Sequence, residues 1–361
     1  ADSLDARGHL EEGAFYIWEK DELKELLEED FELFAAIYNI NEFGFWEDGK
    51  FVLIQNESLG EQASKAGVSP EALHEKKTEW EQLLYEAREH REKPRLDDKT
   101  LTSWNALMLK GYADAYKALG NEEYLTAARR NALFIAGTMW DSEGHLWRTY
   151  KNGTAKIKGF LEDYAHTADA FITLYEATLE EKWLMYAKQL TDYCLEHFYD
   201  EQVQFFSYTA KNGEQLITPH YETEDNVIPA SNSVMGNVLY KLSLLFSNQY
   251  YEKVALQMLY RILPGLDYPS AFSNWINLWF ELSMQNRELA VCGENAAEAI
   301  REINNLYLPH IIVAGCEEES AVPFLQNRLV KDRLMFYVCR NNACNLPHSN
   351  LEDALKELEL K

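Results

Sequence analysis

The sequence predicts a mainly α fold: an incomplete α/α toroid followed by a small C-terminal α/β lobe. Three observations carry that expectation. Three segments resemble one another, each opening a helix behind a preceding helix. The links between these helix pairs also repeat, and after about Gln285 the hydrophobic pattern changes from helical to strand-like.

The repeated segments are GNEEYLTAA ending at Ala128, LEEKWLMYA ending at Ala187 and SNQYYEKVA ending at Ala255. Their spacing is too long for tetratricopeptide or ankyrin units. Each follows a helical run after a short polar turn, so the unit is a helical hairpin; the preceding runs cover roughly 103–119, 161–178 and 232–246. In the first of these runs Trp104, Leu107, Met108, Gly111, Tyr112, Ala115 and Leu119 share one face of period 3.6, the expected core side.

The links WDSEGHLWRTYKNG and YDEQVQFFSYTAKNG each carry an Asp, then aromatic residues, then a Gly-containing turn, and FGFWEDGKFVLI near the start looks like a third copy. That composition suits short β-excursions. Hairpins joined by long decorated links favour a ring around a central funnel over a solenoid, whose links are shorter. Beyond Gln285, ELAVCGE, NAAEAIREINN, LPHIIVAGC, RLMFYVC and SNLEDALKELEL read as strand, helix, strand, strand, helix. The expected division is therefore a helical domain over 1–286 and a lobe over 287–361. VCGEN lacks the further glycines of a dinucleotide fingerprint.

Acidic residues outnumber basic ones, 60 against 34, for a net charge of −26. Such a surface repels phosphate backbones, which argues against a nucleic-acid partner. No apolar run reaches membrane-spanning length, so no membrane partner is expected. The start, ADSLDARGHLEEG, has neither an initiator Met nor a signal-peptide pattern, as expected of a processed N-terminus or a piece of a longer protein. Five cysteines in 361 residues are no disulfide framework. Buried reduced thiols in a cytoplasmic setting are expected. Cys339 and Cys344 form neither a CxxC motif nor a zinc site, so a structural role is expected for them.

Alternating helices bring the first helices of successive hairpins to begin at one end. Their starts, LDDKTLTSWN, KGFLEDYAH and DNVIPASNS, are dense in carboxylates, amides, hydroxyls and aromatics, which points to a pocket at that mouth. Asp97 and Asp98 precede the first helix beside Lys99, with Thr102 or Ser103 as cap; acids there suit the helix dipole as well as a site. Trp104 reads as core before sugar platform, and Asn105 as the better pocket-facing amide. Asp163 and His166, three apart on one helix face, form a carboxylate–imidazole arrangement suited to acid–base work, with Glu162 beside them. Asp98 and Asp163 facing each other across a funnel would match the carboxyl pair of glycoside chemistry. In the third start Ser231 is the expected N-cap, and Asn232 a hydrogen-bonding amide. His145 and His220 lack metal-ligand spacing, and no metal or cofactor is expected.

EEGAFYIWEKDEL, KPRLDDKTLTSWNALML, GFLEDYAHTADAFITLYEATLEEKWL, IPASNSV and YVCRNNACNLP occur in this order. With them the chain resembles the C-terminal two-thirds of the thioredoxin-domain-containing proteins of YyaL and spermatogenesis-associated protein 20 type. The resemblance implies a six-hairpin (α/α)6 toroid like that of N-acylglucosamine 2-epimerases and six-hairpin glycosidases. It also implies that a thioredoxin-like segment and the first hairpins stand outside this chain. Asp97, Asp98, Lys99, Trp104, Asn105, Asp163 and Asn232 match the family's motifs, whereas Arg95 replaces its His and Ala230 its Gly. The leading functional expectation is a carbohydrate-active or carbohydrate-binding domain. Asp98 and Asp163 would be its acid–base carboxylates, with His166 modulating Asp163. Asp97, Lys99, Trp104, Asn105, Glu162 and Asn232 would hold the ligand, and the reaction would be glycosidase-like hydrolysis or sugar epimerisation. The alternative is a non-catalytic scaffold accompanying a redox domain.

Overall fold

A computed structural model describes residues 2–4, 10–213, 218–283, 287–308, 310–340 and 343–358. The contacts divide the chain into two units, Ala1–Asp98 and Lys99–Lys361.

The first unit pairs β1 (Asp2–Leu4) with β2 (Leu10–Glu12), and β3 (Trp18–Glu19) with β4 (Lys50–Phe51). Around them stand α1 (Lys20–Leu27), α2 (Phe31–Ile37), α3 (Leu59–Ala66) and the long α4 (Pro70–Glu89). Its core joins Trp18, Leu23, Phe34, Leu73 and Trp80. Ser58 and Glu61 form a capping box at α3, and Ser69 with Pro70 at N1 starts α4, so both starts are written locally.

The second unit is an arc of an α/α toroid in two layers. Helices α5 (Thr102–Leu119), α7 (Leu161–Thr178), α9 (Ser231–Leu245) and α11 (Ser273–Ser283) form the inner layer. Against them pack α6 (Glu122–Phe134), α8 (Glu181–His197) and α10 (Gln249–Ile262), each the return arm of a hairpin. Each tight turn carries one residue at positive φ: Gly120 at 67°, Leu179 at 56° and Ser247 at 50°. Asn121 and Asn248 then cap the return helices. From Leu161 to Tyr175 every residue of α7 except Asp169 is buried, because inner neighbours flank it and its own return arm backs it. Gly236 lets α9 approach α11: a Cβ there would stand 3.0 Å from the Trp275 ring.

The expected β-excursions form. β5 (Thr100–Leu101), β6 (Trp147–Lys151) and β7 (Thr154–Lys158) make one antiparallel sheet, and β8 (Tyr199–Asp200) pairs with β9 (Phe205–Phe206). In the last stretch β10 (Arg287–Cys292) lies between parallel β11 (Ile311–Cys316) and antiparallel β12 (Met335–Arg340), which carries β13 (Ala343–Cys344) on its other edge. Helices α12 (Ala296–Asn304) and α13 (Leu351–Glu357) cover one face. The opposite face, with Ala290, Cys292, Ala314, Cys316 and Cys339, joins the core of the toroid helices. The expected boundary at 286/287 falls partly on residue 286, outside the described residues, and the strands that follow share this helical core.

Two expectations need correction. The α5 stripe read as core is largely exposed: Trp104 at 60% and Met108 at 53%, while Ser103, Ala106, Leu109, Ala113 and Tyr116 are buried. Periodicity identifies a stripe, but small residues fitting against α7 determine which face is covered. The cysteines are not all reduced. Cys194, Cys292 and Cys316 are free and buried, whereas Cys339 and Cys344 are joined, since β12 and β13 make them direct partners.

Candidate functional site

The inner helices begin at one end, as expected, but their caps are not the hydroxyls that local spacing suggested. Asp163 Oδ1 accepts from Ser103 N at 3.0 Å, at the start of α5. Its Oδ2 accepts from Phe160 N at 2.9 Å, at the start of α7, and faces Arg148 Nη1 at 3.3 Å. One carboxylate thus ties two helix starts, each a source of positive dipole and unpaired N–H groups. Glu222 Oε2 accepts from Ser231 N at 2.9 Å. Asp225 Oδ1 accepts from Ala230 N and Ser233 Oγ, and its Oδ2 from Asn274 N at 2.9 Å, linking the starts of α9 and α11.

In front of Asp163 stands a polar group of three. The Arg148 guanidinium, from β6, donates to Glu162 Oε1, and Tyr208 Oη donates to the same oxygen at 3.2 Å. The guanidinium lies 4.8 Å from the centre of the Phe160 ring, and Phe160 packs on Tyr208 at 4.9 Å. Tyr208 in turn meets His220 edge-on. Burial pushes Asp163 up to about 7; Arg148 and the two backbone N–H groups pull it down, and Glu162 adds to the rise. Burial likewise raises Tyr208, helped by Glu162.

His166 does not serve Asp163, contrary to expectation. Among the described residues the two form no hydrogen bond or ion pair, because both Asp163 oxygens turn toward helix starts. Burial holds His166 below the ordinary imidazole range, against the pull of Asp169, Glu162 and Glu222 and a hydrogen bond with the Pro229 backbone. Its Nε2 is buried without a protein partner, as are Ser103 Oγ and Ser231 Oγ. Three such atoms, one in the first turns of each of α5, α7 and α9, stand behind the rim, where an ordered water or a ligand hydroxyl would satisfy them.

Asn232 is fully buried and its amide is fully used. It accepts from Phe206 N at 2.8 Å and donates to Phe206 O and Glu222 O, stitching β9 to α9. Asn105 donates to Leu101 O at 2.8 Å, an intrahelical use. Asp97, Asp98 and Lys99 are exposed in an irregular stretch ahead of β5; Asp98 ends the first unit and Lys99 opens the second. Sequence reasoning missed Arg148, Tyr208, Glu222 and Asp225. Arg148 and Tyr208 lie in the aromatic links and Asp225 opens the polar start DNVIPASNS, whereas Glu222 carried no local signal.

Deeper along the same helices lies a second charged group. Asp169 meets Lys110 at 2.9 Å and Lys241 at 3.8 Å, and Lys117 bonds Glu176 at 2.7 Å. The two lysines hold Asp169 well below the usual carboxylate range although burial opposes them. Among the described residues no group of three or more His, Cys, Asp or Glu could hold a metal ion.

Fold and rim together define a mainly α domain, an arc of α/α helical hairpins whose inner helix starts gather buried charges. The chain is similar to spermatogenesis-associated protein 20: it is 28% identical to the Homo sapiens protein over 96% of this chain and 50% of that one. An uncharacterized protein of Caenorhabditis elegans is 26% identical over 96% of this chain and 51% of its own length. The chain thus spans about half the length of the curated relatives it matches. No family model matches it. Among solved structures, it is similar to a glycoside hydrolase family 76 α-mannanase of Bacteroides thetaiotaomicron, with a TM-score of 0.44 and 15% identity, covering 69% of this chain and 67% of that one. It is also similar to the cellobiose 2-epimerase of Bacillus thermoamylovorans, with a TM-score of 0.38 and 16% identity, covering 45% and 43%.

Proposed function

We propose that the rim formed by the starts of α5, α7 and α9 binds a carbohydrate. The observation that carries the reading is the Arg148–Glu162–Tyr208 group, set beside the Phe160 ring and in front of three unpartnered buried polar atoms. A carboxylate, a guanidinium and a phenol offer acceptors and donors to neighbouring hydroxyls, and an aromatic face suits the apolar side of a sugar ring. In this reading Glu162 is the carboxylate that meets the ligand, while Asp163 and Asn232 are positioning residues behind it. Acid–base chemistry would take Glu162 as its carboxylate at this rim. Lys99, Trp104 and Asn105 are proposed as outer contacts.

The test is an NMR titration of the chain with a panel of mono- and disaccharides, following anomeric protons for both binding and turnover. Binding should weaken at least about tenfold in Glu162→Gln, since one hydrogen bond to a charged group is worth about 1.5–3 kcal/mol. Any turnover should be lost in the same variant. A panel without a single perturbed sugar at millimolar concentration sinks the reading. The second reading, a non-catalytic scaffold, is favoured by the complete use of Asp163 and Asn232 in tying helix starts. It expects no sugar response and unchanged partner binding in Asp98→Ala and Asp163→Ala.

A further inference from the structure

The bridge between β12 and β13 has surroundings that a plain cross-link does not need. Cys339 is fully buried, whereas Cys344 is half-buried beside the exposed Ala343. The two are register partners on antiparallel strands, which is how they meet without a CxxC motif. The Arg328 guanidinium is directed at the outer sulfur: its Nη2 donates to Cys344 Sγ at 3.0 Å. That guanidinium is held in place. Its Nε donates to Phe324 O, its plane sits 5.0 Å from the Phe324 and Tyr337 ring centres, and Tyr337 Oη donates to Arg328 O at 2.6 Å. Among the described residues Arg328 makes no ion pair, so its charge is not spent on a carboxylate.

A cation held against a sulfur stabilises the thiolate over the thiol, which lowers the thiol pKa and raises the fraction able to attack. The asymmetry of burial then assigns the roles. We propose that Cys344 and Cys339 form a dithiol–disulfide exchange site for small disulfides, with Cys344 as attacking thiolate, Cys339 as resolving thiol and Arg328 as positioning residue. In the reduced protein the Cys344 thiolate attacks one sulfur of a disulfide RS–SR. A Cys344–SR bond forms, the S–S bond breaks, and RS⁻ leaves to take a proton from solvent. Cys339, losing its proton to solvent, attacks Cys344 Sγ, forms the bridge seen here and releases the second thiol. Two electrons pass from the protein dithiol to RS–SR, and an external dithiol reverses the sequence.

This site is separate from the helix-start rim, and its test does not depend on sugar binding. The full chain is reduced under native conditions with dithiothreitol, freed of reductant and exposed to glutathione disulfide, with cysteine states read by peptide mass mapping. The expected result is a re-formed Cys339–Cys344 bridge in the wild type and one glutathione trapped on Cys344 in Cys339→Ser. Arg328→Gln should slow alkylation of Cys344 near neutral pH on the order of tenfold, with Arg328→Lys between the two. Alkylation of reduced wild-type protein supplies the Cys344 rate even where a cysteine variant fails to fold. A bridge that resists dithiothreitol in the folded chain overturns the proposal. So does glutathione on Cys194, Cys292 or Cys316 in place of Cys344, or an unchanged Cys344 rate in Arg328→Gln.

Discussion

Asp163 and Asp169 stand on one helix, both in buried surroundings, and their carboxyl groups are driven in opposite directions. Asp163 shares a single guanidinium with Glu162 and takes its other hydrogen bonds from two backbone N–H groups. Burial outweighs those partners and its pKa rises to about 7. Asp169 faces two ammonium groups, and their charge outweighs the same burial cost, so its pKa falls. Depth alone therefore does not set the pKa of a buried acid; the number of cations around it matters as much. The deep pair of lysines builds a locked structural charge group. The rim sets two acids against one arginine, and burial there raises Asp163 toward neutral pH.

Replacing the deep acid is the harshest way to probe that contrast. Asp169→Ala leaves the half-buried Lys110 and Lys241 without their shared partner, and unfolding in urea should show a loss of about 2–4 kcal/mol. Asp163→Ala removes the acceptor for two helix starts but leaves Arg148 its Glu162, and should cost about 1–3 kcal/mol in the same measurement. Equal losses would mean that the two acids do the same job.

The pH dependence sharpens the contrast further. The folded pKa of Asp163 is raised, so its contribution is fully present below the ordinary value of 3.8 and is lost as pH rises toward about 7. The folded pKa of Asp169 is lowered, so its contribution is present above 3.8 and is lost as pH falls through the lower folded value. Urea midpoints compared at about pH 4.5 and about pH 7.5 should show a smaller drop in Asp163→Asn than in the wild type. A larger drop would reverse the sign assigned here. The mildest change is Trp104→Ser, which touches neither acid; with the ring mostly exposed, stability should move by no more than about 0.5 kcal/mol.

Hairpins were legible in the sequence because their signals are local. Asn121 and Asn248 cap the return helices, Gly120 turns the first pair, and apolar residues recur at helical spacing. The strands of the last stretch were legible from short runs such as ELAVC and HIIVAGC. The rim was legible only as a set of polar helix starts. Ser103 and Ser231 looked like caps by position, yet carboxylates distant in sequence took over that work. Arg148 and Tyr208 lie in links where no period marks a residue as functional, and only the approach of β6 and the β9 link to α7 brings them to Glu162.

By itself the sequence determined the helical hairpins, their direction of travel, the short strands between them and the gathering of polar helix starts at one end. These follow from propensity, capping and hydrophobic period, which act over a few residues. Tertiary structure alone decided which face of α5 is covered, which acid caps which helix, and that burial raises the pKa of one aspartate while lysines lower that of its neighbour. It also decided that Cys339 and Cys344 meet across two strands beside an arginine. Each of these depends on distance and burial between residues far apart in the chain, and neither quantity is written in local sequence.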